Sequence, residues 1–193
     1  MMSTSVKITV EEFEAMAARG DFDPSEEHHV ELIRGEIVPR FGDDPKTPMN
    51  PTHVDILIEL NEWSVDTAPR PEVRVSIQGS VRIPALDSEP QPAVAWLVRK
   101  SYFQVLPSPE DVFLLIEVSD SSLRKDRGPK LELYAEACIR DYWIVDIRRR
   151  CVMVHREPDG LSFREITTYQ EGQVIHLLAF PDVALSVSRL FPE

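Results

Sequence analysis

The run Val112-Phe113-Leu114-Leu115-Ile116 passes without a polar break into Glu117, and a helix-forming stretch from Gly128-Pro129 leads into a second apolar run, Tyr142-Trp143-Ile144-Val145. Two short, fully apolar runs around a helix describe a strand–helix–strand unit whose strands are buried. That unit restricts the chain to an α/β or α+β arrangement with a mixed sheet. A carboxylate at the end of a buried strand is costly unless it is paired, hydrogen-bonded or bound to a cation. Lys130, in the first turn of the helix, lies at the end of the macrodipole that prefers negative charge. The unit could bring these two unfavourable charges together, either as a salt bridge pinning helix to sheet or as a functional site, and the residue types alone leave both open.

The chain has 193 residues, enough for one sizeable core, so a single domain over 1–193 is expected. No apolar run approaches the roughly 20 residues of a membrane span, and Met1 to Val10 lacks the basic-then-apolar pattern of a signal peptide. Cys138 and Cys151 form no C-x-x-C pair; buried reduced thiols and a cytoplasmic location are expected. The net charge of −12 argues against a protein that coats nucleic acid, because phosphate binding relies on Lys and Arg. Acid is concentrated between Glu11 and Glu31, whereas Arg99, Lys100, Arg124, Lys125, Arg127, Lys130 and Arg140 gather around the strand–helix–strand unit. They form either a local positive rim that could steer a polyanion or an ordinary solvated surface.

Thr9 with Glu12 makes a capping box, which predicts a helix to about Arg19. Val30–Ile33 and Glu36–Val38 flank Arg34-Gly35 as a hairpin. A Pro-rich loop from Asp43 ends in Asn50-Pro51, an N-cap followed by proline at the first helical position. The helix to about Thr67 is apolar on more than one side and is expected to be well buried. Alternation predicts strands over Val73–Ile77 and Val81–Ile83. Further strands are expected at Ala93–Val98, Tyr142–Asp146, Cys151–Arg156, Leu161–Thr168 and Gln173–Leu177, with Asp159-Gly160 as a hairpin turn.

Dinucleotide, Walker, nucleophile-elbow and H-E-x-x-H signatures are missing. His28-His29 lies beside acidic residues and reads as a surface pair, with metal binding the rarer alternative. Arg148-Arg149-Arg150 reads as the decoration of a hairpin turn, with nucleic-acid contact the rarer alternative.

Several segments occur in order: Glu31 within Val-Glu-Leu-Ile-Arg-Gly-Glu, His53 early in a helix, Gln78, and the loop Asp-Ser-Glu-Pro-Gln-Pro ending at Pro92. Leu-Leu-Ile-Glu-Val-Ser-Asp-Ser-Ser-Leu-Arg-Lys-Asp-Arg-Gly-Pro-Lys-Leu-Glu-Leu-Tyr-Ala, from Leu114, and Asp-Tyr-Trp-Ile-Val-Asp, from Asp141, follow. Together they resemble the bacterial putative restriction endonuclease family, long catalogued as a domain of unknown function, within the PD-(D/E)XK nuclease superfamily. The resemblance runs from about Thr9 to Phe191.

The resemblance implies a restriction-endonuclease-like α/β fold, a mixed central β-sheet flanked by helices. It implies DNA as substrate, homodimers as in related nucleases, and Mg²⁺, with Mn²⁺ as an alternative. Hydrolysis of a phosphodiester calls for a cation that neutralises charge on the phosphate and acidifies a bound water, and Mg²⁺ takes oxygen ligands. By this carry-over Glu117 and the Val118 carbonyl are metal ligands and Lys130 is the catalytic cation. Glu31 is the additional catalytic acid, and His53 and Gln78 line the site. Where the family has Pro-Asp, however, this chain has Pro92-Ala93, so a bridging carboxylate is missing. The expectation is a weakened DNA endonuclease, with a DNA- or protein-binding module of nuclease fold as the alternative.

Overall fold

The computed structural model describes residues 7–22, 30–40, 50–120 and 126–192. Its centre is a mixed sheet of six strands in the order β3-β4-β5-β6-β7-β8. These are β3 (Val73–Ile77), β4 (Val94–Val98), β5 (Val112–Ser119), β6 (Asp141–Asp146), β7 (Cys151–Asp159) and β8 (Ser162–Gln170). Only β5 and β6 run parallel; the other neighbours are antiparallel. A parallel pair needs a crossover, and helix α3 (Pro129–Glu136) lies in that connection. Ahead of the sheet come α1 (Val10–Arg19), the hairpin β1 (Val30–Ile33) and β2 (Glu36–Pro39), and α2 (Pro51–Thr67). After β8, the short strands β9 (Val174–His176) and β10 (Ala184–Ser186) pair with each other.

Local chemistry sets the helix ends. The Thr9–Glu12 capping box is formed, and Asn50 accepts a hydrogen bond from the His53 N–H, satisfying N–H groups that a helix start would leave unpaired. At the β7–β8 hairpin, Asp159 pairs with Ser162, and Gly160 adopts φ 61° in the two-residue loop. Glycine occupies that left-handed conformation without penalty.

Because strand side chains alternate, the sheet buries two different faces. Val94, Trp96, Leu114, Ile116, Trp143 and Val145 pack with Ile56, Leu60 and Trp63 of α2. Ala95, Leu97, Leu115, Tyr142 and Ile144 pack with Leu133 and Tyr134 of α3. The rings of Trp63 and Trp96 stack at 5.1 Å, and each indole N–H has a partner, the Ala184 carbonyl for Trp63 and the Ser64 hydroxyl for Trp96. These bonds remove the cost of burying the two polar atoms.

Three expectations require correction. Helix α2 is buried on one face only, with Val54, Ile58 and Val65 exposed on a separate stripe; counting apolar residues did not resolve which side packs. Val81–Ile83 makes no ladder beyond one bridge between Ile83 and Ser88. Its backbone N–H groups go instead to Pro90, Pro107 and Ser88. Cys151 is buried, but Cys138 is exposed, because it forms the left-handed turn (φ 60°) that ends α3. Strand β10 was not read from the sequence. His28-His29, Arg124 and Lys125 lie outside the described residues.

Leu115 is fully buried on the α3 face of the central strand. Leu115→Ala should destabilise the protein by about 2–5 kcal/mol in a urea titration, as core truncations do. A loss below about 1 kcal/mol would contradict its central position.

Candidate active site

Along β5, Leu115, Glu117 and Ser119 share a face. Leu115 belongs to the core beneath α3, and that orientation turns Glu117 toward the same helix. Lys130, in the first turn of α3, donates to Glu117 Oε1 at 2.8 Å and to Glu31 Oε1 at 2.7 Å. Tyr134, one helical turn on and therefore on the same face, donates to Glu117 Oε1 at 3.0 Å. Glu31 arrives from β1, which is held beside the Ser88–Gln91 segment by a bridge between Leu32 and Glu89. The Gln91 N–H donates to Glu31 Oε1 at 2.8 Å. Glu31, Glu117 and Lys130 are 0%, 6% and 2% exposed, so they form a closed ionic cluster joining β1, β5 and α3.

A pocket of about 20 Å³ adjoins this cluster, with Arg40, His53, Gln78, Ala93, Glu117 and Lys130 in its wall. That is room for one water or one ion. The sheet register explains the position of Ala93. The β4–β5 ladder ends at Val94 opposite Ile116, and one further step would set position 93 opposite Glu117, at the cross-strand distance where side chains meet. Gln78, with φ 55°, is fixed by an N–H bond to the Ala93 carbonyl at 3.0 Å. His53 is held by the N-cap of α2. Val118 also lines the pocket, as does Asp126, which accepts a 2.5 Å hydrogen bond from the Ser119 hydroxyl.

The structure therefore brings together Glu31, His53, Gln78, Ala93, Glu117, Val118 and Lys130. Arg40, Gln91, Asp126 and Tyr134 belong to the same neighbourhood and were not singled out from the sequence. Tyr134 had a signal, its four-residue spacing from Lys130 on one helix. Arg40 had none, because a basic residue after a hairpin is ordinarily solvated. Among the described residues, the basic group read from the sequence divides between the two ends of the sheet, with Lys130 at the pocket. Arg99 and Lys100 follow the far end of β4, and Arg140 precedes β6 at that same end of the sheet. Arg148, Arg149 and Arg150 instead occupy the β6–β7 turn at the site end, where Arg148 pairs with Asp120 at 2.8 Å. Asp120 also accepts from Asn50, the cap of the helix that carries His53.

A divalent ion is what the family pattern implies, and the donor set does not fit one. Glu117 and Asp126 are the carboxylates in the pocket wall, Asp126 already holds the Ser119 hydroxyl, and Ala93 offers a methyl group. Lys130 and Arg40 already place positive charge at the pocket wall. Among the described residues, no three His, Cys, Asp or Glu side chains are grouped to hold a metal. No step is therefore routed through a metal.

Burial pushes Glu117 up from 4.5 to about 7, against the lowering pull of Lys130, and Asp126 and Glu31 add to the rise. Burial alone would pull Lys130 down, but Glu117, Glu31 and Asp126 hold it above its ordinary value, so it stays charged. Burial and the Arg40 charge lower His53, with Asp120 opposing, which keeps it neutral at pH 7. For Glu117 the folded value lies above the unfolded one, so the native chain binds this proton more tightly. Its stabilising contribution is complete below about pH 4.5 and is lost as pH rises through about 7. The stability of wild type relative to Glu117→Gln should thus fall between pH 5 and 7, by roughly 3 kcal/mol at most, and level off above about pH 8. Urea titrations across that range measure it; a difference that rises with pH would show that Glu117 ionises well below neutrality.

A family model described as Uma2, putative restriction endonuclease, matches residues 10–188. No curated protein matches the chain. Among solved structures, the crystal structure of a putative nuclease belonging to DUF820 from Anabaena variabilis is similar, with a TM-score of 0.69 and 18% identity. The alignment covers 95% of this chain and 97% of that one, a likeness of fold. With the model match spanning nearly the whole chain and the buried Glu117 and Lys130 set at one end of a shared fold, the chain belongs to the Uma2 putative restriction endonuclease family.

Proposed function

We propose that this protein derives from restriction-endonuclease-like DNA hydrolases and that their metal-dependent phosphodiester cleavage is attenuated in it at Ala93, leaving a poor nuclease or none. The observation that carries this reading is the place of Ala93, one residue before the β4–β5 ladder begins at Val94 opposite Ile116 and in the pocket wall with Glu117, where the family pattern has a carboxylate. Mg²⁺ binding commonly uses one or two carboxylates plus waters, and the only side-chain carboxylate this reading assigns to an ion is Glu117. DNA as the substrate class is supported by family membership and by exposed arginines at the site end of the sheet, Arg148 and Arg149, 69% and 66% exposed. Such side chains can hold phosphates without reading bases. A cytoplasmic location, supported by two free cysteines, and a homodimer that offers one site to each strand complete the proposal.

A second reading, a DNA- or protein-binding module without cleavage, is favoured by one specific observation. Lys130 is bonded to both Glu31 and Glu117 inside the protein, which leaves its charge compensated in place.

Plasmid nicking with Mg²⁺ and Mn²⁺ titrations on wild type, Ala93→Asp and Ala93→Asp/Glu117→Ala separates the readings. Wild type should nick poorly, Ala93→Asp should bind metal more tightly and nick at least about tenfold faster, and the double variant should lose the gain. Each tenfold corresponds to about 1.4 kcal/mol of transition-state stabilisation. Efficient Glu117-dependent nicking by wild type would overturn the attenuation. Metal binding by Ala93→Asp without nicking would favour the binding module.

A further inference from the structure

The pocket beside Glu117 has a second buried cation in its wall. Arg40 directly follows β2, is 9% exposed, and lines the same small space as Glu117, Lys130 and Ala93. Arginine usually lays its stem on the surface and keeps its head in water, so a guanidinium withdrawn to this degree needs a counter-charge. It lies within electrostatic reach of Glu31, Glu117 and His53 and shares a pocket wall with Glu117 and His53. A guanidinium stays protonated in proteins, so the pocket carries this charge at every pH of interest. Lys130 alone cannot balance Glu31 and Glu117 together, and Asp126 adds a further buried carboxyl.

We propose that Arg40 takes the electrostatic place of a divalent ion in this pocket, balancing Glu31 and Glu117 and keeping Mg²⁺ and Mn²⁺ out. This inference rests on the reading above, in which the site derives from a metal-dependent one. Three features support it. The space holds one water or one ion, so a cation entering it comes close to whatever lines its wall. Arg40 and the incoming ion have like charge, and across such short distances at an effective dielectric of about 20 their repulsion exceeds thermal energy several-fold. Ala93 and Arg40 also act in the same direction, since a methyl group withdraws a negative charge and the guanidinium supplies a positive one. Together they leave the carboxylates with less need of an ion.

The test is a Mn²⁺ titration of Ala93→Asp, Arg40→Met/Ala93→Asp and Arg40→Lys/Ala93→Asp, read by loss of the free Mn²⁺ resonance and by the rise in melting temperature. Arg40→Met/Ala93→Asp should bind Mn²⁺ at least about tenfold more tightly than Ala93→Asp, as removal of a neighbouring like charge requires. The lysine variant, which keeps the charge, should stay within about twofold of Ala93→Asp. Arg40→Gln/Ala93→Asp is the substitute if the methionine variant does not fold, and its expected outcome is the same. Equal affinity of Ala93→Asp and the charge-removed variants would overturn the role of Arg40 and leave the functional reading intact. If neither Ala93→Asp nor the charge-removed variants bind Mn²⁺, the metal-derived reading falls, and this inference falls with it.

Discussion

The ionic contact of Lys130 with Glu31 and Glu117 is the interaction on which the rest of this structure depends. Its members come from a helix, a hairpin and the central strand, and each is almost fully withdrawn from water. Any one of them left alone would carry the cost of an unpaired buried charge, several kcal/mol. The hairpin therefore cannot leave the sheet, nor α3 rotate, without exposing that cost. Tyr134 and the Gln91 N–H supply further bonds to the same carboxylates. Such satisfaction is what separates a tolerable buried charge from a destabilising one.

The parts of this arrangement that were legible in the sequence are those governed by near neighbours. Thr9 and Asn50 marked helix starts because capping is chemistry over three residues. Glu117 and Lys130 were legible because a buried strand followed by a helix leaves few places for their side chains. Glu31 came from the family resemblance, since its contact with Lys130 spans 99 positions and rests on the bridge from Leu32 to Glu89. Val81–Ile83 shows the opposite failure. Its alternation suits a strand, but alternation states only that one face is buried, and here loop carbonyls take the N–H groups that a ladder would have used. Arg40 was illegible for a related reason, because burial of a charged residue is decided by distant partners and not by its neighbours in sequence.

A net charge of −12 would oppose the approach of the proposed DNA substrate, and the distribution of charge reduces that conflict. At physiological ionic strength, exposed charges more than about 8 Å apart are largely screened. The acid of α1 is partly engaged as well, with Glu11 and Glu14 paired to Arg82, away from the pocket. Among the described residues, the β6–β7 turn with its arginines stands at the site end of the sheet, where a phosphate backbone would meet it. On the proposed reading, net charge would set long-range approach, while those few side chains would set contact.

The same accounting links stability to chemistry. A site that binds a divalent ion must gather carboxylates that repel one another until the ion arrives, so the metal-free fold is held under strain. In this chain that strain is small. Position 93 adds no charge, Lys130 bridges two of the acids, and Glu117 is pushed up to about 7 so that a proton can relieve what remains. Arg40, in the same pocket wall, works in the same direction. Substitutions that quiet such repulsion stabilise a fold at the expense of the activity the repulsion served. On the proposed reading, the methyl group of Ala93 and the guanidinium of Arg40 both favour a pocket that is stable without an ion.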